Sequence, residues 1–159
     1  MIGEIKNIKS NKYVNCLEVR ILASGTKDTK IILDFAERYF GSYEITSMPL
    51  SINEGNKLIS LLGVATSDMS TEYTEYKEHT IGQVEFIEDS GILKIRHVRA
   101  GEADKAIILE LFNKFTTLRL FGIYGLFKTE VETISLSVTQ VNKLIFLLEC
   151  GIKKSRGLG

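Results

Sequence analysis

With 159 residues, 44% of them hydrophobic and 25% charged, the chain carries enough apolar side chain for one sizeable core shared by the whole polypeptide. Its 20 basic and 20 acidic side chains cancel to a formal net charge of zero, which excludes a uniformly cationic surface but still permits a basic stripe on one face. No apolar run approaches the roughly 20 residues that a membrane-spanning helix needs, and Met1 to Ser10 is polar and lysine-bearing, so neither a membrane segment nor a signal stretch is expected and a cytoplasmic location follows.

In chain order, the first expected strand is Ile2 to Ile8. Leu17, Val19 and Ile21 then alternate with Glu18, Arg20 and Leu22, the period of two that a sheet with one buried face requires. Lys30 to Phe40 fits two patterns: Ile32, Phe35, Ala36 and Tyr39 would line a helical face ending at Gly41, whereas enrichment in Ile and Phe favours a strand. Tyr43 to Met48 is a short strand. Ser51 followed by Glu54 is a capping box, which marks a helix start; Ile52, Leu58, Ile59 and Leu62 recur behind it at helical spacing and Gly63 is the expected stop. Ser67 to His79 reads as a polar connector.

The second half repeats this order. Ile81-Gly82-Gln83-Val84 matches Ile2-Gly3-Glu4-Ile5, Leu93-Lys94-Ile95-Arg96 matches Leu17-Glu18-Val19-Arg20, and Asn142-Lys143-Leu144-Ile145 matches Asn56-Lys57-Leu58-Ile59. Ile81 to Ile87, Leu93 to Arg99, Lys105 to Phe115 and Glu130 to Leu136 are the corresponding strands, with the same ambiguity at Lys105 to Phe115. Ser137 and Gln140 form the second capping box, Val141, Leu144, Ile145 and Leu148 the apolar stripe, and Gly151 the stop. The offset between matches is 79 at the start of the unit and 86 at its end, so the second copy carries about seven extra residues, placed near Arg119 to Phe127 as a longer hairpin. A duplicated unit of this length is a supersecondary module. The expected fold is therefore α+β, ββββα-ββββα with a pseudo-two-fold, one domain over residues 1–159 made of a first repeat 2–63, a connector 64–80 and a second repeat 81–151. Phe146 and Leu147 lie off the apolar stripe of the last helix, and this excess surface is expected to be buried between subunits of a homo-oligomer.

Thr133-Ile134-Ser135-Leu136-Ser137-Val138-Thr139-Gln140, running into an apolar helix, resembles the strand-to-helix junction of Whirly proteins and related coactivators that bind melted DNA. Met48-Pro49-Leu50-Ser51-Ile52-Asn53-Glu54 resembles the same junction in the first copy. The resemblance covers most of residues 2 to 150, although the Lys-Gly-Lys-Ala-Ala-Leu segment of the plant proteins has no counterpart here. It implies binding of single-stranded nucleic acid across curved sheets whose helices pack on the other side.

Such binding calls for cations to neutralise phosphates and flat rings to stack on unpaired bases. With Leu17, Val19 and Ile21 turned to the helices, Arg20 points outward, and its equivalent Arg96 does so with Lys94. Tyr13, Lys30, Arg38, Tyr39 and Tyr43 complete the first copy's candidates. Arg99, Lys105, Lys114, Arg119, Tyr124, Phe127 and Lys128 complete the second's, several of them in the aromatic hairpin with Phe121, Gly122 and Gly125. Against this stand the ordinary alternatives of solvated cations and core aromatics; Glu18, Asp34 and Glu110 share the same faces.

No catalytic constellation emerges. His79 and His97 have no metal-ligand spacing to another His or Cys, Ser24-Gly25-Thr26-Lys27 lacks the glycine spacing of a phosphate loop, and no metal or cofactor is expected. Cys16 on a strand and Cys150 on a helix are expected to be free, buried thiols in a reducing compartment. The expectation is a non-catalytic protein that binds single-stranded nucleic acid, DNA in preference to RNA, in replication, repair, recombination or transcription. An RNA-binding protein of the same fold and a protein-interaction module using the same sheets are the alternatives.

Overall fold

In the computed structural model, residues 2–10, 13–22, 30–39, 42–69, 77–85, 91–99, 105–113 and 130–157 are described. The first half forms β1 (Gly3–Ser10), β2 (Tyr13–Leu22), β3 (Lys30–Tyr39) and β4 (Ser42–Leu50), then helix α1 (Ile52–Met69). The second half forms β5 (Lys77–Glu85), β6 (Gly91–Arg99), β7 (Lys105–Asn113) and β8 (Glu130–Leu136), then α2 (Val138–Ser155). Each set of strands makes a four-stranded antiparallel sheet in sequence order, β1-β2-β3-β4 and β5-β6-β7-β8. The fold is α+β, with each antiparallel sheet followed by a helix.

Both ambiguous segments are strands, β3 and β7, and in β3 burial explains why the pattern misleads. Ile31, Leu33 and Phe35 face the helices, but Ile32, Asp34 and Ala36 on the opposite face are also buried. A central strand covered on both faces loses the alternation of a half-buried one, so a helical period can be found in it by chance. Ile32 and Phe35, neighbours on the hypothetical helix, lie on opposite faces of the sheet.

Both helices start at the expected capping boxes. In α1 the Glu54 amide donates to Ser51 Oγ at 3.2 Å and the Ser51 amide to Glu54 Oε2 at 3.0 Å; in α2 the Gln140 amide donates to Ser137 Oγ at 3.2 Å and the Ser137 amide to Gln140 Oε1 at 2.9 Å. The expected stops are corrected. Helix α1 runs past Gly63 to Met69 and α2 past Gly151 to Ser155, so part of the stretch 64–80 is helix and part is β5. Isolated glycine costs a helix about 1 kcal/mol, which packing on both sides of it outweighs. Gly151 is used for close approach instead: a Cβ there would sit 3.2 Å from Ile2 Cδ1. The left-handed residue that follows α2 is Gly157, at φ 70°. The extra length of the second copy lies between β7 and β8, whose connection, residues 114–129, is outside the described residues.

The two halves share one apolar core in which the helices are exchanged. Helix α1 packs mainly on β5 and β6 of the second sheet and α2 mainly on β1, β2 and β3 of the first, each also touches its own sheet, and the helices contact each other. Leu58, Leu62, Leu144 and Leu148 are fully buried in this core, each contributing on the order of 1.5–3 kcal/mol. Matched glycines on the inner faces of the edge strands make room for the exchange. A Cβ on Gly3 would fall 2.4 Å from Leu147 Cδ2 of α2, and one on Gly82 would fall 2.7 Å from Leu61 Cδ2 of α1. Leu147 is thereby buried within the chain, contrary to the expectation that it waits for another subunit, while Phe146 remains 62% exposed. Gly82→Val is expected to lower stability by about 1–3 kcal/mol through overpacking. Adding Leu61→Ala should recover part of that loss in a denaturation double-mutant cycle, and strict additivity would show that the two positions do not touch.

Candidate nucleic-acid interface

The faces turned away from the helices carry Arg20, Asp34, Lys94, Arg96 and Glu110, and cross-strand register decides how these residues meet. Arg20 on β2 lies two positions from Glu18, which stands opposite Asp34 of β3, itself opposite Ser47 of β4. Arg20 Nε donates to Asp34 Oδ2, its Nη2 to Oδ1 at 3.3 Å, and Ser47 Oγ donates to the same Oδ1 at 2.5 Å. Asp34 is only 2% exposed, so this carboxylate survives burial because three donors meet it. The second sheet repeats the device. Arg96 Nε donates to Glu110 Oε1, and its Nη1 pairs with Glu78 of β5. Arg20–Asp34 and Arg96–Glu110 have the same separation of 14 residues, one in each copy.

Arg20 and Arg96 do point outward, but each is neutralised on its own sheet. Lys94 is half-buried on the outer face opposite Glu110 and Gln83 and, among the described residues, makes no ion pair. Lys30 opens β3 opposite Leu22. Tyr13, Arg38, Tyr39 and Tyr43 gather at one end of the first sheet, where Tyr13 pairs with Tyr39 and Arg38 with Tyr43. At one end of the second sheet Lys77, Arg99 and Lys105 occupy one register row across β5, β6 and β7. Like charges directly opposite each other destabilise a sheet, so a row of three basic positions is costly unless an anion lies near it. Sequence reasoning placed Arg99 and Lys105 among the candidates and assigned Lys77 to the connector; only pairing of β5 with β6 brings it into line. Lys114, Arg119, Tyr124, Phe127 and Lys128 lie outside the described residues.

Two further groups bear on the chemistry. His97 is 3% exposed on the inner face of β6, its Nε2 3.7 Å from Asp68 of α1 and its ring edge-on to His79, with centroids 5.5 Å apart. This is a position at the rim of the core. Cys16 and Cys150 are free thiols, as expected, but Cys150 is only half-buried rather than buried. Cys16 is buried but not in apolar surroundings: it faces Glu4 and Glu18, and desolvation together with the Glu18 and Glu4 charges pushes its thiol up to about 11. Alkylation by iodoacetamide at pH 8 should therefore modify Cys150 first, with Cys16 at least about tenfold slower, because the thiolate is the reacting species; equal rates by mass spectrometry would contradict the environment described.

Comparison with solved structures settles the architecture. The crystal structure of WHY1 from Arabidopsis thaliana is similar over 98% of this chain and 86% of that one, with a TM-score of 0.50 and 17% identity. The fold is Whirly-type. The structure of the plant transcriptional regulator PBF-2 is also similar over 98% of this chain and 84% of its own, at a TM-score of 0.44 and 13% identity. No family model matches the sequence, and no curated protein matches it. Within this Whirly-type fold Arg20, Lys94 and Arg96 lie on the sheet faces turned away from the helices, whereas Lys77, Arg99 and Lys105 continue the inward register of Ile95, His97 and Ile107 to the end of the second sheet. Among the described residues no helix is long and apolar enough to cross a membrane.

Proposed function

We propose that the protein binds single-stranded nucleic acid, DNA in preference to RNA, without catalysis, in replication, repair, recombination or transcription in the cytoplasm. The observation that carries this reading is the register row Lys77, Arg99 and Lys105 at one end of the second sheet, in a Whirly-type fold. Three basic positions in one register row can offer charge to an extended phosphate backbone, and Tyr13, Tyr39 and Tyr43, at one end of the first sheet, are of the residue type on which unpaired bases stack. The paired Arg20 and Arg96 add little net charge. Binding should then depend on salt through few phosphate contacts, with stacking carrying the rest.

Anisotropy titrations with labelled single-stranded DNA, duplex DNA and RNA of one length test the proposal. Tightest binding to single-stranded DNA supports it; equal or tighter binding to RNA transfers the function to RNA, and no binding to any of the three favours the protein-interaction alternative.

The assembly proposed with this function is a pseudo-two-fold chain that associates through its helices. Phe146 on α2 and Val64 on α1, 62% and 50% exposed, supply apolar surface away from both sheets. Phe146→Asp should reduce the mass measured by light scattering at micromolar concentration, and a parent protein already monomeric there would count against association.

A further inference from the structure

The outer face of the first sheet carries a second cluster that nucleic-acid binding does not use. Pairing of β1 with β2 sets Glu4 directly opposite Glu18, and Cys16 lies two positions before Glu18 on the same face. Cys16 Sγ is 3.7 Å from Glu4 Oε2 and 4.0 Å from Glu18 Oε1, and the three ligand atoms all lie within 4.8 Å of one another. Cys16 is only 8% exposed, and among the described residues its sulfur has no polar partner outside these two carboxylates. A thiol has one proton, which can satisfy one carboxylate and leaves the other facing a sulfur lone pair. Lys6 reaches Glu4 at 3.1 Å, but on Oε1, leaving Oε2 turned to the sulfur. Glu18 makes no ion pair among the described residues.

We propose that Glu4, Cys16 and Glu18 form a binding site for one divalent cation of borderline softness, with zinc the best fit. Tetrahedral zinc with bonds of about 2.3 Å to sulfur and about 2.0 Å to oxygen sets its sulfur and oxygen ligands about 3.5 Å apart. The observed sulfur–oxygen separations, 3.7 and 4.0 Å, exceed that spacing by about 0.2 and 0.5 Å, a gap that small side-chain rotations close. One thiolate with two carboxylates leaves the fourth position open to water or a ligand. The cation neutralises two of the three negative charges and Lys6 offsets the third. The duplication supplies an internal comparison: the positions equivalent to Glu4, Cys16 and Glu18 are Gln83, Ile92 and Lys94, paired in the same register. A Whirly-type sheet thus forms without these donors, so the fold does not require them in the first copy.

The test is a cobalt titration of chelator-treated protein followed by competition with zinc. The expected result is one Co2+ per chain, a thiolate-to-cobalt charge-transfer absorption, its loss on adding one equivalent of Zn2+, and a melting temperature raised by Zn2+. Cys16→Ser should abolish the absorption and Cys150→Ser should leave it intact. Glu18→Gln, on the outer face, should weaken Zn2+ by more than the roughly 10- to 100-fold that loss of an outer-shell partner costs. Absence of a thiolate band in the parent protein overturns the proposal, as does a band that persists in Cys16→Ser or disappears in Cys150→Ser. If Cys16→Ser fails to fold by circular dichroism, Glu18→Gln decides: unchanged Zn2+ affinity overturns the site. None of these measurements involves nucleic acid, so the site stands or falls independently of the proposed function.

Discussion

Arg20→Glu should destabilise the protein by about 3 kcal/mol, the lower end of the range for breaking a buried ion pair. The lower end applies because the Arg20 side chain is 38% exposed while its partner Asp34 is only 3% exposed. The substitution removes the guanidinium and sets a second carboxylate against a buried one. Urea unfolding measures the effect as a shift in midpoint at constant m-value. Arg96→Glu should cost less, since Glu78, one of its two partners, is 43% exposed and water screens what is left behind. Replacing the whole first pair, as Arg20→Met with Asp34→Leu, should be close to neutral, because no charge is then buried alone. Any loss of oligonucleotide affinity in Arg20→Glu should follow the fraction of unfolded protein. A stable Arg20→Glu variant with binding abolished would instead make Arg20 a direct phosphate contact.

The combined variant Lys77→Ala, Arg99→Ala, Lys105→Ala should retain the fold, since it removes three like charges from one register row, and should lose most of its affinity for single-stranded DNA. At on the order of 1.5 kcal/mol for each charge-assisted contact, three contacts correspond to a loss of roughly a thousandfold. The slope of log affinity against log salt should flatten by about 2, at about 0.7 for each phosphate released from a single strand. Titrations at two salt concentrations give both quantities. A variant that folds and keeps the parent's slope would remove this row from the interface.

Much of this molecule is legible in its residue pattern. The duplication, the alternation of Leu17, Val19 and Ile21 and the capping boxes at Ser51 and Ser137 are local signals, set by side-chain periodicity and by a hydroxyl three residues from an amide, and they lead to the correct elements in the correct order. The inward parity of Leu93, Ile95 and His97 is of the same kind. Local signals failed at the helix ends: Gly63 and Gly151 read as stops because the few tenths to about 1 kcal/mol that glycine costs a helix is visible in sequence, while the packing that overrides it is not.

Tertiary structure decided what depends on partners far along the chain. That α1 covers the second sheet and α2 the first follows from Leu61 meeting Gly82 and Leu147 meeting Gly3. That Arg20 and Arg96 are tied to Asp34 and Glu110 follows from strand register, as does the alignment of Lys77 with Arg99 and Lys105 and the meeting of Cys16 with Glu4. A one-residue slip in pairing would send each of these side chains to the other face or to another partner. Residue pattern thus determined which faces are apolar, because periodicity is a property of neighbours in sequence. Charge pairing on the opposite faces belongs to register, and register is set only when the sheets close over their shared core.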